Sequence, residues 1–372
     1  MRILIVKTTS LGDIIQSLSV VTFLHQKFPE ATIDWIVEKP FKELLEAHPG
    51  IRHIIPIEVR KWKKNFFKHR VELKEALKIL REESYDLLID LQGNVKSGII
   101  TKLAYAREKI GTTFFSAPEW PNALFLTHRY PQNKKEPMAL QYLSLVQKHF
   151  GIKPHSVETN LSLKITLEEE AWIASKLRGY RQKISNERVL HRRKVQDDRC
   201  KELQSGLLKE GNDKIFPKKG KKIMVCSGSH WENKKLSLPT WIEFLKKLKT
   251  QEECHFFFVW GSKKEEQEAI ALHSQFPQSS TLLPKMSLPV WQRFMSEMDL
   301  IYTVDSSALH LAATTKTPTY SFFGPSSSAI YKPLGDHHHS LQAPCPYGKT
   351  FTKRCPALRS CKTGGCLKDL TL

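Results

Sequence analysis

The chain opens straight into an apolar run, Ile3–Val6, and from there short apolar runs alternate with longer amphipathic stretches. No other feature constrains the fold as much. Consecutive strands separated by helices need crossover connections, so the pattern predicts βαβ units and a parallel sheet. Predicted strands are Ile3–Val6, Thr32–Val37, His53–Ile57 and Leu87–Asp90. Predicted helices are Asp13–Phe28, stopped by Pro29, then Phe41–Ala47, Val71–Glu83 and a segment from about Val95. Leu73, Leu77 and Leu80 recur at the helical period. The pattern restarts near residue 220, with strands Ile223–Cys226, His255–Trp260, Leu300–Val304 and Thr319–Phe323. Helices Pro239–Leu248, Lys264–Phe276 and Ser306–Thr315 lie between them. Two α/β halves in 372 residues predict two domains, with ligands bound in a crevice at the strand C-terminal ends.

Charge narrows the partners. The formal net charge of +20 implies an acidic one: nucleic acid, an anionic membrane or a phosphorylated substrate. No apolar run reaches the roughly 18–20 residues of a membrane span, and the N-terminal run is too short for a signal peptide. A cytoplasmic protein is therefore expected, with its seven cysteines reduced or metal-bound. Between the halves, Arg178–Lys222 is rich in Lys, Arg, Gln and Asp and poor in aromatics. It reads as a solvated linker or insertion, or else as a functional basic arm.

Two loops carry candidate chemistry. Lys7-Thr8-Thr9-Ser10-Leu11-Gly12-Asp13 joins the first strand to a helix. It matches neither common phosphate-binding glycine motif. Gly12 permits a tight turn. Asp13 is then either a helix N-cap or a carboxylate at the crevice that accepts a proton as a general base. The second loop, Asp305-Ser306-Ser307-Ala308-Leu309-His310, follows a strand and opens a helix. Free amides and the helix dipole make such a start an anion site, and small residues let a phosphate approach. His310 is either a packed core histidine or part of that site.

With these loops, the sequence resembles glycosyltransferase family 9, the lipopolysaccharide heptosyltransferases, and among them type I. The matching segments are Val6–Asp13, Asp34–Glu38, Arg60–Lys64, Asp86–Ser97, Trp260-Gly261 with Glu265-Glu266, Leu283–Leu288 and Asp305–Ala313. The resemblance implies a GT-B fold, two Rossmann-like domains facing a central cleft. It implies an acceptor-binding domain over 1–165, a linker and basic insertion over 166–222, a nucleotide-sugar domain over 223–344 and a cysteine-rich tail over 345–372. The implied donor is ADP-L-glycero-β-D-manno-heptose, used without cofactor or metal, and the implied acceptor is the Kdo region of a lipid A precursor. The family's base falls on Asp13. Its donor-site positions fall on Ser229, Lys234, Glu265, Met286, Asp305, Ser306, Ser307, Ala308 and His310, with Lys235 competing for the role of Lys234. Lys7, Arg60, Lys64 and Lys96 match positions facing an anionic acceptor. An arginine expected near Pro118 is absent, and Ser307 replaces a common glycine.

Such chemistry predicts inversion in a single displacement. A type II heptosyltransferase, with the same donor and another acceptor, is the near alternative. A nucleic-acid-binding protein is the distant one; only Arg60–Lys68 interleaves cations with aromatics, and no recognition module surrounds it. That stretch is instead a candidate for peripheral docking on an anionic membrane face, through Trp62, Phe66 and Phe67, unless those rings are core. Cys345, Cys355, Cys361 and Cys366 could hold a structural zinc, though no C-x₂-C pair occurs and reduced thiols fit as well. His337-His338-His339 reads as a surface run.

Overall fold

The computed structural model describes residues 1–58, 70–157, 159–180 and 220–371. In the first half, strands β1 (Arg2–Val6), β2 (Thr32–Glu38), β3 (His53–Ile57), β4 (Ser84–Asp90), β5 (Tyr105–Thr112) and β6 (His128–Tyr130) form one sheet in the order β3-β2-β1-β4-β5-β6. In the second, β7 (Lys221–Cys226), β8 (Cys254–Phe258), β9 (Ser280–Leu282), β10 (Leu300–Val304), β11 (Thr319–Phe323) and β12 (His338–Gln342) take the order β12-β11-β10-β7-β8-β9. All pairings are parallel. Counted from its own first strand, each sheet has the order 3-2-1-4-5-6, the doubly wound arrangement. The predicted GT-B architecture of two Rossmann-like domains is what the chain adopts.

The central strands explain themselves. Ile3, Leu4, Ile5 and Val6 are all fully buried, as a strand covered on both faces requires. Each such side chain contributes about 1.5–3 kcal/mol on burial. Several elements were less visible. The predicted helix Asp13–Phe28 is two helices, Leu11–Gln16 and Leu18–Lys27, because the chain turns at Ser17 and the Ser17 hydroxyl donates back to the Ile14 carbonyl at 2.7 Å. Strands β5, β6, β9 and β12 carry too few apolar residues, or are too short, to stand out.

Of the expected surface run His337–His339, His337 and His339 are exposed and only His338 departs from it. His338 and His339 belong to β12, and His338 is buried, its Nδ1 2.9 Å from the Thr319 hydroxyl. The partner hydroxyl is what lets a histidine enter this edge strand. Residues 167–180 are helical, and Trp172 and Tyr180 pack on Phe294 and Phe257 of the second half. The rest of the 178–222 insertion, up to 219, lies outside the described residues, as does the Arg60–Lys68 patch.

Candidate active site

In a doubly wound sheet the chain leaves neighbouring central strands in opposite directions, and a crevice opens at their C-terminal ends. Here those switch points lie between β1 and β4 and between β7 and β10. Asp13 follows β1, Ser229 follows β7 and Asp305 follows β10. The helices Leu11–Gln16 and Ser307–Ala312 pack on each other and bring the two switch points together. One cleft of about 860 Å³ results, within the range of small-molecule sites. Asp13, Ser229, Lys234, Glu265, Asp305, Ser306, Ser307, Ala308 and His310 all line it.

Asp13 is not the helix N-cap. That position is Ser10, and Asp13 is the third helical residue of a capping box. Its Oδ2 accepts from the Ser10 hydroxyl at 2.7 Å, and its Oδ1 accepts from the Tyr142 hydroxyl at 3.3 Å. Tyr142 in turn accepts from Lys7 Nζ at 3.0 Å. Burial pushes the Asp13 carboxyl up, but Lys7, the Ser10 hydroxyl and amide, and Arg354 outweigh it, so the pKa lies below the usual carboxylate range. Asp13 is therefore ionised, with lone pairs left for a substrate hydroxyl.

Lys7 itself departs from expectation. A lysine facing an acceptor should reach solvent, yet Lys7 is 3% exposed and also donates to the Leu91 carbonyl at 3.3 Å. Its place directly after the buried β1 keeps it beneath the site, where it acts on Asp13. Lys96 is exposed in the first turn of the helix Val95–Leu103, on the rim of a separate apolar cavity of about 170 Å³. Neither lines the cleft. Arg60 and Lys64 lie outside the described residues.

On the other wall, Lys234 Nζ donates to Asp305 Oδ2 at 2.5 Å, and the Ser326 hydroxyl donates to the same oxygen. Both residues are buried. Burial acts against the Asp305 charge, but Lys234, His310 and Ser326 hold its pKa below the usual range. The adjacent lysines point in different directions: Lys234 lines the cleft, whereas Lys235 turns away from it and pairs with Glu268 at 3.0 Å and Glu232 at 3.1 Å. The Ser306 hydroxyl is buried with no hydrogen-bond partner among the described residues. Glu265 caps its own helix, accepting from the amides of Gly261 and Ser262 at 2.9 Å. A Cβ on Gly228 would stand 2.4 Å from Glu265 Oε1, so only glycine admits this carboxylate to the cleft wall. Met286 is partly buried against the core and does not line the cleft, although neighbouring Leu288 does.

His310 joins the two walls. Its Nε2 lies 3.4 Å from Gln16 Nε2, and burial lowers its pKa despite Asp305 and Asp13, leaving a neutral ring. Gly12 is helical rather than a positive-φ turn. Its missing side chain serves a close approach: a Cβ there would lie 2.9 Å from His310 Cδ2.

Sequence reasoning missed the tail. Arg354, Cys355, Leu358 and Arg359 line the same cleft. The signal was the cations interleaved with the cysteines, which drew attention to themselves instead. Among the described residues the cysteines form no disulfide, and no three His, Cys, Asp or Glu side chains are arranged to hold a metal. Tyr142 left no sequence signal, being 129 residues from its partner Asp13.

The family model of glycosyltransferase family 9 (heptosyltransferase) matches residues 73–360. The chain belongs to glycosyltransferase family 9. It is 26% identical to lipopolysaccharide heptosyltransferase 1 of Escherichia coli K12, over 92% of this chain and 94% of that protein. To the enzyme of the same name from Pseudomonas aeruginosa PAO1 it is also 26% identical, over 95% and 87%. In fold it is similar to the E. coli heptosyltransferase WaaC solved with ADP, with a TM-score of 0.71 at 24% identity, covering 92% of this chain and 94% of that one. E. coli ADP-heptose lipopolysaccharide heptosyltransferase II gives 0.65 at 17% identity, covering 97% and 94%. This chain is thus a glycosyltransferase of the heptosyltransferase family.

Proposed function

We propose that this family 9 enzyme transfers L-glycero-D-manno-heptose from ADP-L-glycero-β-D-manno-heptose to the Kdo region of a lipopolysaccharide inner-core precursor. One observation carries the proposal. An ionised carboxylate, Asp13, faces a buried lysine, Lys234, across a single cleft formed where both sheets open. The long matches to lipopolysaccharide heptosyltransferases 1 support the choice of type I over type II. A relative's structure was solved with ADP-2-deoxy-2-fluoro heptose, which supports the donor.

In this reading the acceptor hydroxyl lies against Asp13 and attacks the anomeric carbon opposite the departing ADP. The C–O bond to the acceptor forms as the bond to the diphosphate oxygen breaks, and the proton passes to the Asp13 carboxylate. A single displacement inverts the anomeric configuration. Lys234 and the Ser306–Ala308 loop meet the charge growing on the leaving diphosphate; such preorganised donors are usually the largest electrostatic contribution. Asp305 holds Lys234 in place until the diphosphate arrives. Arg60 and Lys64 are assigned to the acceptor's anionic groups, and Glu265 to the donor.

Incubation with ADP-heptose and Kdo₂-lipid A, followed by mass analysis, tests the proposal. A mass gain of one heptose is expected, and activity should survive EDTA. A product from ADP-heptose only with a heptosylated acceptor would make the enzyme type II. Activity abolished by EDTA and restored by Mg²⁺ would overturn the metal-free mechanism. No helix among the described residues is long and apolar enough to cross a membrane. A lipid acceptor then calls for peripheral docking on the anionic inner face of the cytoplasmic membrane, with about 1 kcal/mol from each nearby Lys or Arg. Salt-sensitive co-sedimentation with anionic but not neutral vesicles is the expected behaviour.

A further inference from the structure

The C-terminal tail crosses the cleft as a strap. Its backbone is tied to the loop after β11: the Ser327 amide donates to the Lys353 carbonyl at 3.0 Å, the Cys355 amide donates to Pro325 at 2.8 Å, and Ser326 and Arg354 form an antiparallel bridge. The same Ser326 donates its hydroxyl to Asp305. The strap is thus registered directly on the donor-side wall, and its side chains reach across to the Asp13 side. Arg354 lines the cleft with its guanidinium 4.9 Å from the Tyr331 ring centroid, and it is close enough to Asp13 and Tyr142 to stabilise negative charge on both. From the opposite domain, Lys134 donates to the Phe115 carbonyl at 3.2 Å.

Lys134, Lys353 and Arg354 take part in none of the ion pairs among the described residues. Lys353 keeps an exposed surface, yet lost hydration around its ammonium, reinforced by Arg354 and Lys134 and opposed only by Asp13, lowers its pKa. Like charges gathered on one carboxylate favour binding of a second anion. The donor diphosphate has its own lysine on the other wall, Lys234. What enters beside Asp13 is the nucleophile that Asp13 deprotonates.

We propose that Arg354 of the strap, which lines the cleft, and its neighbour Lys353 form an oxyanion-binding site for an acidic group of the acceptor, next to its reacting hydroxyl, with Lys134 of the other domain adding positive charge near Lys353. The inference rests on the heptosyl-transfer reading above.

The test compares wild type with Lys353→Ala, Arg354→Ala and the double variant, with Lys353→Arg as a charge-retaining control. Three quantities are read: acceptor KM, donor KM, and calorimetric Kd for ADP. The double variant should raise acceptor KM about tenfold or more, the loss expected for one charge-assisted hydrogen bond. Donor KM and the Kd for ADP should stay within about twofold, and Lys353→Arg should restore most of the acceptor affinity. An acceptor with its carboxylates esterified, and one lacking phosphate, separate the two sources of oxyanion. Whichever source is recognised, its neutral analogue should be insensitive to the double substitution. Unchanged acceptor KM, or a rise confined to donor KM and ADP binding, would overturn the site. If wild type binds ADP but transfers heptose to no acidic-sugar acceptor, it is the heptosyl-transfer reading that fails.

Discussion

Replacing Gly12 by alanine probes the contact between the helix Leu11–Gln16 and the helix that carries His310. On an exposed helix the change would stabilise, because alanine is the better helix former by up to about 1 kcal/mol. Here the added methyl would stand 2.9 Å from His310 Cδ2, against 3.4–4 Å for ordinary contact, a shortfall of at least 0.5 Å. The His310 ring cannot swing aside into water, since it is 6% exposed and enclosed by the helix Leu11–Gln16 and its own helix. Forcing a methylene-sized group into such a contact costs about 1–3 kcal/mol. The clash therefore wins, and net destabilisation of about 0–2 kcal/mol is expected.

Catalysis should suffer more than stability. Gly12 precedes Asp13, so relief of the clash moves Asp13 relative to the opposite wall. Misplacement by about 1 Å can cost 10²-fold in rate, and a shift of half that size should lower kcat by about tenfold. Thermal unfolding and steady-state kinetics measure both, and Gly12→Ala combined with His310→Ala should regain part of the lost kcat by making room. Wild-type kcat and Tm in Gly12→Ala would refute the packing argument outright.

Asp13→Ala should lower kcat by about 10²–10⁴, the usual contribution of a positioned general base, with ADP binding unchanged by calorimetry. Lys234→Ala should raise donor KM and also destabilise, by about 3–5 kcal/mol, because it strands the buried Asp305 charge; a larger donor effect from Lys235→Ala would show that the wrong lysine was chosen. Acid should weaken the fold well above the carboxylate range: burial lowers both His48 and His338 to about 4 from 6.5, so the unfolded chain binds more protons between those values. Stability is then complete above about pH 6.5 and falls as pH drops toward 4, by up to about 3 kcal/mol per histidine. Urea titrations of His338→Gln at pH 7 and pH 5 should show a smaller pH difference than wild type, and an equal difference would remove His338 from the account.

The central strands were legible because both their faces are covered, which writes burial into consecutive residues: Ile3–Val6, Ile223–Cys226 and Leu300–Val304 fall inside observed strands. Edge strands have less to bury, and β12 hides behind His338, whose burial depends on a hydroxyl in the neighbouring strand, and the exposed His339. The site shows the same divide. Asp13 and Asp305 were readable because each follows a recognisable strand. Tyr142 was not, because its role comes from tertiary packing against a loop 129 residues away. Gly12 was noticed for the wrong reason, since a sequence shows that a side chain is missing and not which neighbour fills the space. The strap was hidden by its cysteines, whose spacing invites a metal question and draws the eye from Lys353 and Arg354.

The proposed division of labour between the two walls follows from their electrostatics. A base works best with a pKa near the working pH, and Asp13 is held in the other direction by Lys7, Ser10 and Arg354. So weak a base gains nothing by deprotonating a free hydroxyl. It becomes effective only after the new C–O bond has begun to form and the hydroxyl has become strongly acidic. In a mechanism of that kind bond cleavage to the diphosphate runs ahead of proton transfer, and most of the barrier reduction falls to the leaving-group side. Lys234 suits that part: buried and held by Asp305, it needs little reorganisation when charge appears on the diphosphate. The two walls should then differ in their response to leaving-group quality. A donor with a better leaving group than ADP should rescue Lys234→Ala and leave the defect of Asp13→Ala largely intact. Equal rescue of both variants would mean that proton transfer and departure are concerted, and that the ordering inferred from the depressed carboxylate is wrong.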